Sequence, residues 1–472
     1  MKLYNTLSRQ LEDVAPLSGK DVRIYSCGPT VYDHAHIGNL TAYVYSDTLQ
    51  RVAGSAGFSV SRAMNYTDVD DKTIRRSYEQ FPEADPKVAL KLLTDKYIAV
   101  FLEDMQRIGN DTKHVTFIRA TDPKTMQGMR DLITALHDKG FAYVADDGVY
   151  FSIDAYRKSG KVYGQLSEIT AADTSEERIQ NDEYDKESVH DFALWKTQKD
   201  GEPAWEFTLD GHDLKGRPGW HIECSVMSRQ ALGQPFDIHT GGVDHIFPHH
   251  ENEIAQSTAL EEDPVMARIF AHSEHMLVDG RKMSKSLQNF YTLSDITDKG
   301  YDPLAFRVKV LQSHYRNSVN FTWESLEAAQ NLLTNLRAWA DLKHQKTAHN
   351  SSDKLAESYA TALRAIREAL FDDLNTSLAL SHVAQLAGES ETAGIHPEKI
   401  QSMLNIADQL FGLQLSERPT INDTQKSMIA ERQTARETKD WALSDQLRDQ
   451  LKEQGITVRD TANGPLWQRM QV

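Results

Sequence analysis

The residues best suited to chemistry in this 472-residue chain fall into three groups that lie far apart in sequence. The first is His36-Ile37-Gly38-Asn39, which follows a short apolar stretch and precedes a segment of helical spacing. A helix N-terminus presents free N–H groups and partial positive charge to an anion, and an imidazole there can donate to a phosphate oxygen. Gly38 lets a nucleotide approach the backbone closely. The second group is Lys282-Met283-Ser284-Lys285-Ser286, just after the turn Asp279-Gly280. Two lysines among small hydroxyl residues on a loop can set ammonium groups against the charge that develops on a leaving pyrophosphate. The third group is Cys27, Cys224, His249 and Glu253. His249 and Glu253 are four apart, so they share a helical face and can converge on one ion. Two thiols, an imidazole and a carboxylate are all Zn²⁺ ligands. His250 is a rival to His249, and the residue types do not rank them. Read alone, the first group is also an ordinary helix-start turn and the second a solvated basic loop. The third admits three readings: two ordinary buried cysteines, a structural zinc, or a zinc that binds substrate.

The elements that must position these groups read as follows. Val22 to Ser26 is a strand, broken by Gly28-Pro29. Leu40 to Ala53 is a helix, with Asn39 as N-cap and Gly54 as stop. Phe58 to Met64 is a second strand, and strand–loop–helix–strand opens a doubly wound α/β domain. A helix is expected from Asp122 to Gly140, then a polar, irregular region whose stretch Ala171 to Glu187 is acidic and reads as surface loops. Phe236 to His239 is a strand, a helix starts at Pro248, and Glu274 to Val278 is another strand. From Trp323 onward the pattern is helical, and Gly455 to Met470 reads as a hairpin turning at Asn463-Gly464. Cys27 ends the first strand and Cys224 lies far on, in Gly219 to Cys224, so an ion between them could stitch the two halves of the fold at the strand ends where α/β sites form.

In combination the groups become specific. The His36 to Asn39 and Lys282 to Ser286 pairing resembles the class I aminoacyl-tRNA synthetases, whose two signatures flank an ATP site on a Rossmann-like sheet. Asn39 stands where the best-known first signature has a second His; it keeps a donor N–H but cannot carry positive charge. Cys27-Gly28-Pro29-Thr30-Val31-Tyr32-Asp33, Asn65 to Lys72, Gly219 to Cys224, Phe247 to Ser257, Lys439-Asp440-Trp441 and Gly464 to Trp467 resemble the cysteinyl-tRNA synthetases. The resemblance implies one zinc per chain on Cys27, Cys224, His249 and Glu253. It puts Thr67, Trp220 and His239 in an amino-acid pocket. It puts Gly241, Gly242 and Asp244, with His36 and Asn39, at ATP, which Mg²⁺ accompanies, and makes Lys285 the signature-loop lysine there. His36, Asn39, Lys282 and Lys285 are then the catalytic candidates. The reaction implied is attack of the cysteine carboxylate on the α-phosphorus of ATP, followed by transfer from the adenylate to a ribose hydroxyl of tRNA(Cys). The carboxylate is already ionised at neutral pH and needs no general base. A thiolate binds zinc far better than a hydroxyl does, so no editing domain is expected. Two rivals remain: an amino-sugar ligase of related sequence, and a non-catalytic paralogue.

The implied organisation is a Rossmann-like parallel-sheet catalytic domain (1–120 and 205–315) with a connective insertion (121–204), an α-helical bundle (316–414) and a small α+β C-terminal anticodon-binding domain (415–472). The length is too great for one core. The formal net charge of −17 argues weakly against nucleic-acid binding, although a local basic face can coexist with an acidic whole. Arg432, Arg436, Lys439, Arg448 and Lys452, placed on one helix, are the candidates for phosphate contact, and Trp467 is expected to pin the hairpin. With two cysteines and neither a signal peptide nor a membrane-length apolar run, the reading is a cytoplasmic protein, monomeric by family expectation.

Overall fold

The computed structural model describes residues 1–167, 191–283, 289–345, 353–393, 397–461 and 464–470. Lys285, Asn463 and the acidic stretch Ala171 to Glu187 lie outside the described residues. The chain falls into two compact units, Met1–Asp295 with Tyr315–Asn320, and Ile296–His314 with Phe321–Val472. None of the described helices is long and apolar enough to cross a membrane.

The first unit is built on five strands: β1 (Asp21–Ser26), β2 (Ser59–Tyr66), β3 (Val115–Arg119), β4 (Phe236–Gly242) and β5 (Ala267–Ser273). Every pairing is parallel, and the order is β5-β4-β1-β2-β3. Val22, Ile24, Met64, Phe236, Ile238 and Ile269 are all buried, as expected of strands covered on both faces. The strand order reverses between β1 and β4, and ligands of such sheets bind outside the carboxyl ends at that switch point. Cys27 immediately follows β1, and Gly241-Gly242 end β4.

Six helices of this unit matter to the site or its surroundings: α1 (Ile37–Ser55), α2 (Asp71–Gln80), α3 (Pro86–Arg107), α4 (Pro123–Asp138), α5 (Trp220–Leu232) and α6 (Glu251–Thr258). α1 starts earlier than the sequence suggested. His36, not Asn39, is the N-cap: its Nδ1 accepts the Asn39 N–H at 3.2 Å, while the Asn39 side chain accepts the His36 N–H at 3.4 Å. The two residues form a reciprocal capping box. The helix expected from Pro248 begins at Glu251, after a widened turn over Ile246–His250 in which Phe247 is extended. Such wide turns cluster at functional sites. The expected strand Glu274 to Val278 is shorter, Met276–Val278, and pairs antiparallel with Arg281–Lys282. The preceding strand β5 went unread.

The region after Gly140 is not irregular where it is described. Ala142–Ala145, Gly148–Phe151, Phe192–Thr197 and Gly216–Pro218 form a four-stranded antiparallel sheet. Phe151, Phe192, Leu194 and Trp195 are fully buried there, in a cluster with Met129 and Ile133 of α4. Strands of three to six residues are too short for an alternation to stand out from a polar background.

In the second unit, helices Trp323–Asp341, Asp353–Phe371, Thr376–Ala393 and Pro397–Phe411 carry buried Leu333, Leu336, Leu370, Leu380 and Leu404. The C-terminal segment has two helices, Asp423–Glu437 and Trp441–Glu453, rather than one; Lys439 sits between them at φ 63°. Ile456–Thr461 and Gly464–Arg469 form the hairpin. Trp467 is buried against Ile429, Leu451 and Ile456. Arg432 is buried and bonds both Asp460 oxygens, at 2.7 and 2.9 Å, so it is committed to the fold rather than offered to a phosphate. Asp341, also buried, takes Arg418 and Arg469, and Gln345 brackets the backbone of Trp467.

Candidate active site

Four buried donors meet past the carboxyl ends of β1 and β4. Cys27, Cys224, His249 and Glu253 each offer one ligand atom within 4.8 Å of the others. Cys27 is fixed by its N–H to the Thr240 carbonyl at 3.1 Å. Cys224 lies one turn into α5, and Glu253 lies in the first turn of α6. His249 Nε2 is 3.0 Å from Glu253 Oε1, and Cys27 Sγ is 3.9 Å from the same oxygen. A second set, Cys27, His239, His250 and Glu253, shares two of these residues. Both histidines left open by the sequence therefore reach the cluster. Only the set with His249 brings both thiols together, the donor composition that suits zinc. His250 places Nε2 3.3 Å from Cys27 Sγ and Nδ1 2.8 Å from His272 Nε2, and His272 in turn meets Thr6 at 2.8 Å.

The electrostatics of the cluster favour positive charge beside Glu253. Burial alone would lift the Glu253 carboxyl, but His239 and His249 beside it hold it well below the usual range. Burial likewise pushes the His249 imidazole down, yet Glu253 and the Cys224 thiol raise it to about 10. The hydrogen bond from Cys27 brings the Cys224 thiol down to about 6 against its burial, while burial pushes the Cys27 thiol up. A carboxylate and a low-pKa thiol are thus held beside a raised imidazole, and a divalent ion in place of that imidazole's proton would offset their charge. These residues fit a metal centre of the zinc type.

Two adjoining clefts of about 310 and 290 Å³ open over this cluster and share Cys27, His36, Asn39, Tyr43, Asp244 and His245. Gly241, Gly242 and Lys282 line the first, with Gly38. Thr67, Trp220, Cys224 and His249 line the second, with Asn65 and Lys72. The Trp220 ring stacks on His249, 4.2 Å between centroids. Thr67 is locked between the Pro29 carbonyl and the Val31 N–H and receives the Asn65 amide at 3.1 Å. His239 does not line either cleft, contrary to its expected place in the amino-acid pocket. It is fully buried and its Nε2 holds Glu253 Oε2 at 2.9 Å. Its position is that of a group that orients a ligand. The sequence reading missed His221, His245 and His272, whose rings pack round His249 and His250. His245 stood within the same short run as His249, but His272 lies next to the end of a strand that itself went unread.

Next to Thr67, Asp68 is buried with Thr121 N–H and Oγ1 on its two oxygens at 2.9 and 2.6 Å. Burial raises its carboxyl from 3.8 to about 6 despite those bonds. A raised carboxyl stabilises the fold below its unfolded value, and that contribution disappears as pH rises to about 6, on the order of 3 kcal/mol by linkage. Asp68→Asn, which can still pair with Thr121, is therefore expected to raise the urea midpoint near pH 7.5 and not near pH 4. A variant equally shifted at both pH values would contradict this.

Comparison with known proteins gives a consistent result. The model for the class I (C) tRNA synthetase catalytic domain matches residues 13–331, and that for the cysteinyl-tRNA ligase anticodon binding domain matches residues 418–467. The chain is 39% identical to a cysteine–tRNA ligase of Solibacter usitatus over 99% of both chains. It is 40% identical to one of Chlamydia caviae, over 98% of this chain and 96% of that one. In fold it is similar to methionyl-tRNA synthetase of Mycobacterium tuberculosis in complex with methionyl-adenylate (TM-score 0.59, 14% identity, 84% of this chain and 89% of that one). It is also similar to a LeuRS in ternary complex with tRNA from Agrobacterium radiobacter (TM-score 0.61, 12% identity, 87% and 88%).

Proposed function

Because the chain belongs to the cysteinyl-tRNA synthetase family, we propose that it activates L-cysteine with ATP as a bound adenylate and passes it to tRNA(Cys), with zinc selecting the thiolate. The overall reaction, aminoacylation of tRNA with cysteine, comes with a family whose members match it end to end. The match of residues 418–467 to an anticodon binding domain favours tRNA over an amino sugar as acceptor.

The observation that carries the reading is that two cysteines, a histidine and a glutamate converge next to two adjoining clefts that are also lined by His36, Asn39 and Lys282. Cys27, Cys224, His249 and Glu253 would hold the ion; when bound, zinc would accept the substrate thiolate as a ligand and favour its ionised form over any hydroxyl. Trp220 and Thr67 would enclose the amino acid. His36 accepts the Asn39 N–H on Nδ1, so its Nε2 carries the proton and suits a phosphate oxygen. Gly241, Gly242 and Asp244 would take the adenosine, and Lys282 would meet the departing pyrophosphate with Lys285. The reaction then depends on alignment and charge stabilisation rather than on a base.

Elemental analysis together with cysteine-dependent pyrophosphate exchange, with serine as control, tests the reading. One bound zinc and strong preference for cysteine are expected. A metal-free enzyme that still prefers cysteine to serine would overturn the zinc assignment. Lys285→Ala is expected to slow exchange at least about tenfold, the scale of one electrostatic contact to the leaving group; near wild-type exchange would remove Lys285 from the mechanism.

A further inference from the structure

A third cavity of about 430 Å³ opens beside the amino-acid end of the cleft and plays no part in the chemistry above. The two cavities draw their lining from neighbouring stretches of chain. Thr67 lines the cleft and its neighbour Asp68 lines this pocket, while α3 gives Tyr97 and Phe101 to the cleft and Lys87, Lys91 and Thr94 to the pocket. Trp205 forms the opposite wall. Its backbone is fixed by reciprocal hydrogen bonds with Gly216 at 2.7 and 3.0 Å, and its ring is only half-buried. The Lys87 ammonium stands over that ring, 5.0 Å from the centroid. Lys87 has no carboxylate partner among the described residues; Lys91 and Arg119 both pair with Asp95, at 2.5 and 2.6 Å. Lys87 and Lys91 are four apart and so lie on one face of the helix.

A rigid aromatic wall faced by a row of cations is the arrangement that stacks a base and holds its phosphate, with little dependence on sequence. In a chain of net charge −17, the three cations of this lining, set against Asp68 and Asp122 in the same pocket, give a polyanion a place to approach at Lys87. We propose that this pocket holds one unpaired nucleotide of the tRNA 3′ end, just upstream of the terminal adenosine, with its base against Trp205 and its phosphate at Lys87 and Lys91. The proposal rests on tRNA being the acceptor.

The test uses the full-length, metal-loaded enzyme and two tRNA(Cys) transcripts, one intact and one lacking its unpaired 3′ end. Lys87→Ala combined with Lys91→Ala is expected to weaken binding of the intact transcript about tenfold and to leave the truncated one unchanged. Trp205→Ala should do the same. Cysteine-dependent pyrophosphate exchange, which needs no tRNA, reports whether each variant is folded; should Trp205→Ala lose it, the lysine variant alone decides. Equal weakening for both transcripts, or for neither, would overturn the proposal. A wild-type enzyme that activates cysteine yet binds neither transcript would instead refute the tRNA reading on which it stands.

Discussion

Cys224→Ser is expected to purify without its metal and to lose cysteine-dependent pyrophosphate exchange by at least about 100-fold. The lower bound follows from groups one layer out, whose loss already costs 10–100-fold in metal affinity or activity; a direct ligand should cost no less. The change is nearly isosteric, so packing around the helix Trp220–Leu232 is preserved and the defect is chemical. A hydroxyl is a poor zinc ligand at neutral pH, and the variant also removes the thiol that Cys27 bonds and that helps raise the His249 imidazole. Three readouts separate the causes: metal content, exchange, and the unfolding midpoint. Loss of metal and exchange with a folded protein is the expected pattern. If the variant were metal-free and still activated cysteine normally, a selecting role for zinc would be untenable.

Gly28→Ala is expected to be the most damaging single methyl group near the site. A Cβ at Gly28 would lie 1.8 Å from the Asn65 carbonyl oxygen and 2.8 Å from Met64 Cγ. The carbonyl belongs to β2, which is in register with β1 on one side and β3 on the other, so it cannot retreat without disturbing the sheet. The Gly28 N–H also holds Asn65 Oδ1 at 2.7 Å. Overpacking of this kind costs about 1–3 kcal/mol, occasionally more, and an obstacle made of backbone puts this case at the upper end. That is a large part of the roughly 5–15 kcal/mol that holds a domain together. Because Cys27 is the adjacent residue, any relief by backbone shift moves a candidate ligand, and a misplacement of about 1 Å can cost about 100-fold in rate. A lowered unfolding midpoint together with reduced exchange is expected. A variant with wild-type stability would show that the contact between Gly28 and β2 is looser than the geometry indicates.

Much of this was decided by the chain's local chemistry. His36 to Asn39, Lys282 to Ser286 and the His249–Glu253 spacing are distinctive in type and short in span, so they could be read before any fold was known. The parallel sheet was foreseen in outline because three of its strands, β1, β2 and β4, are short apolar-rich stretches near Gly or Pro, whereas β3 and β5 were not read. Local sequence could not say which side chains would meet. Cys27 and Cys224 come together only because β1 and β4 are neighbours at the switch point and α5 passes beside them. The same convergence brings His272 to His250 and turns His239 inward onto Glu253. Asn39 as a partner of His36 in a capping box, the antiparallel sheet of the insertion, and the commitment of Arg432 to Asp460 were likewise settled by packing. Residue type sets what a group can bind, whereas burial and partners set what it has left to offer, and those exist only once distant segments are assembled.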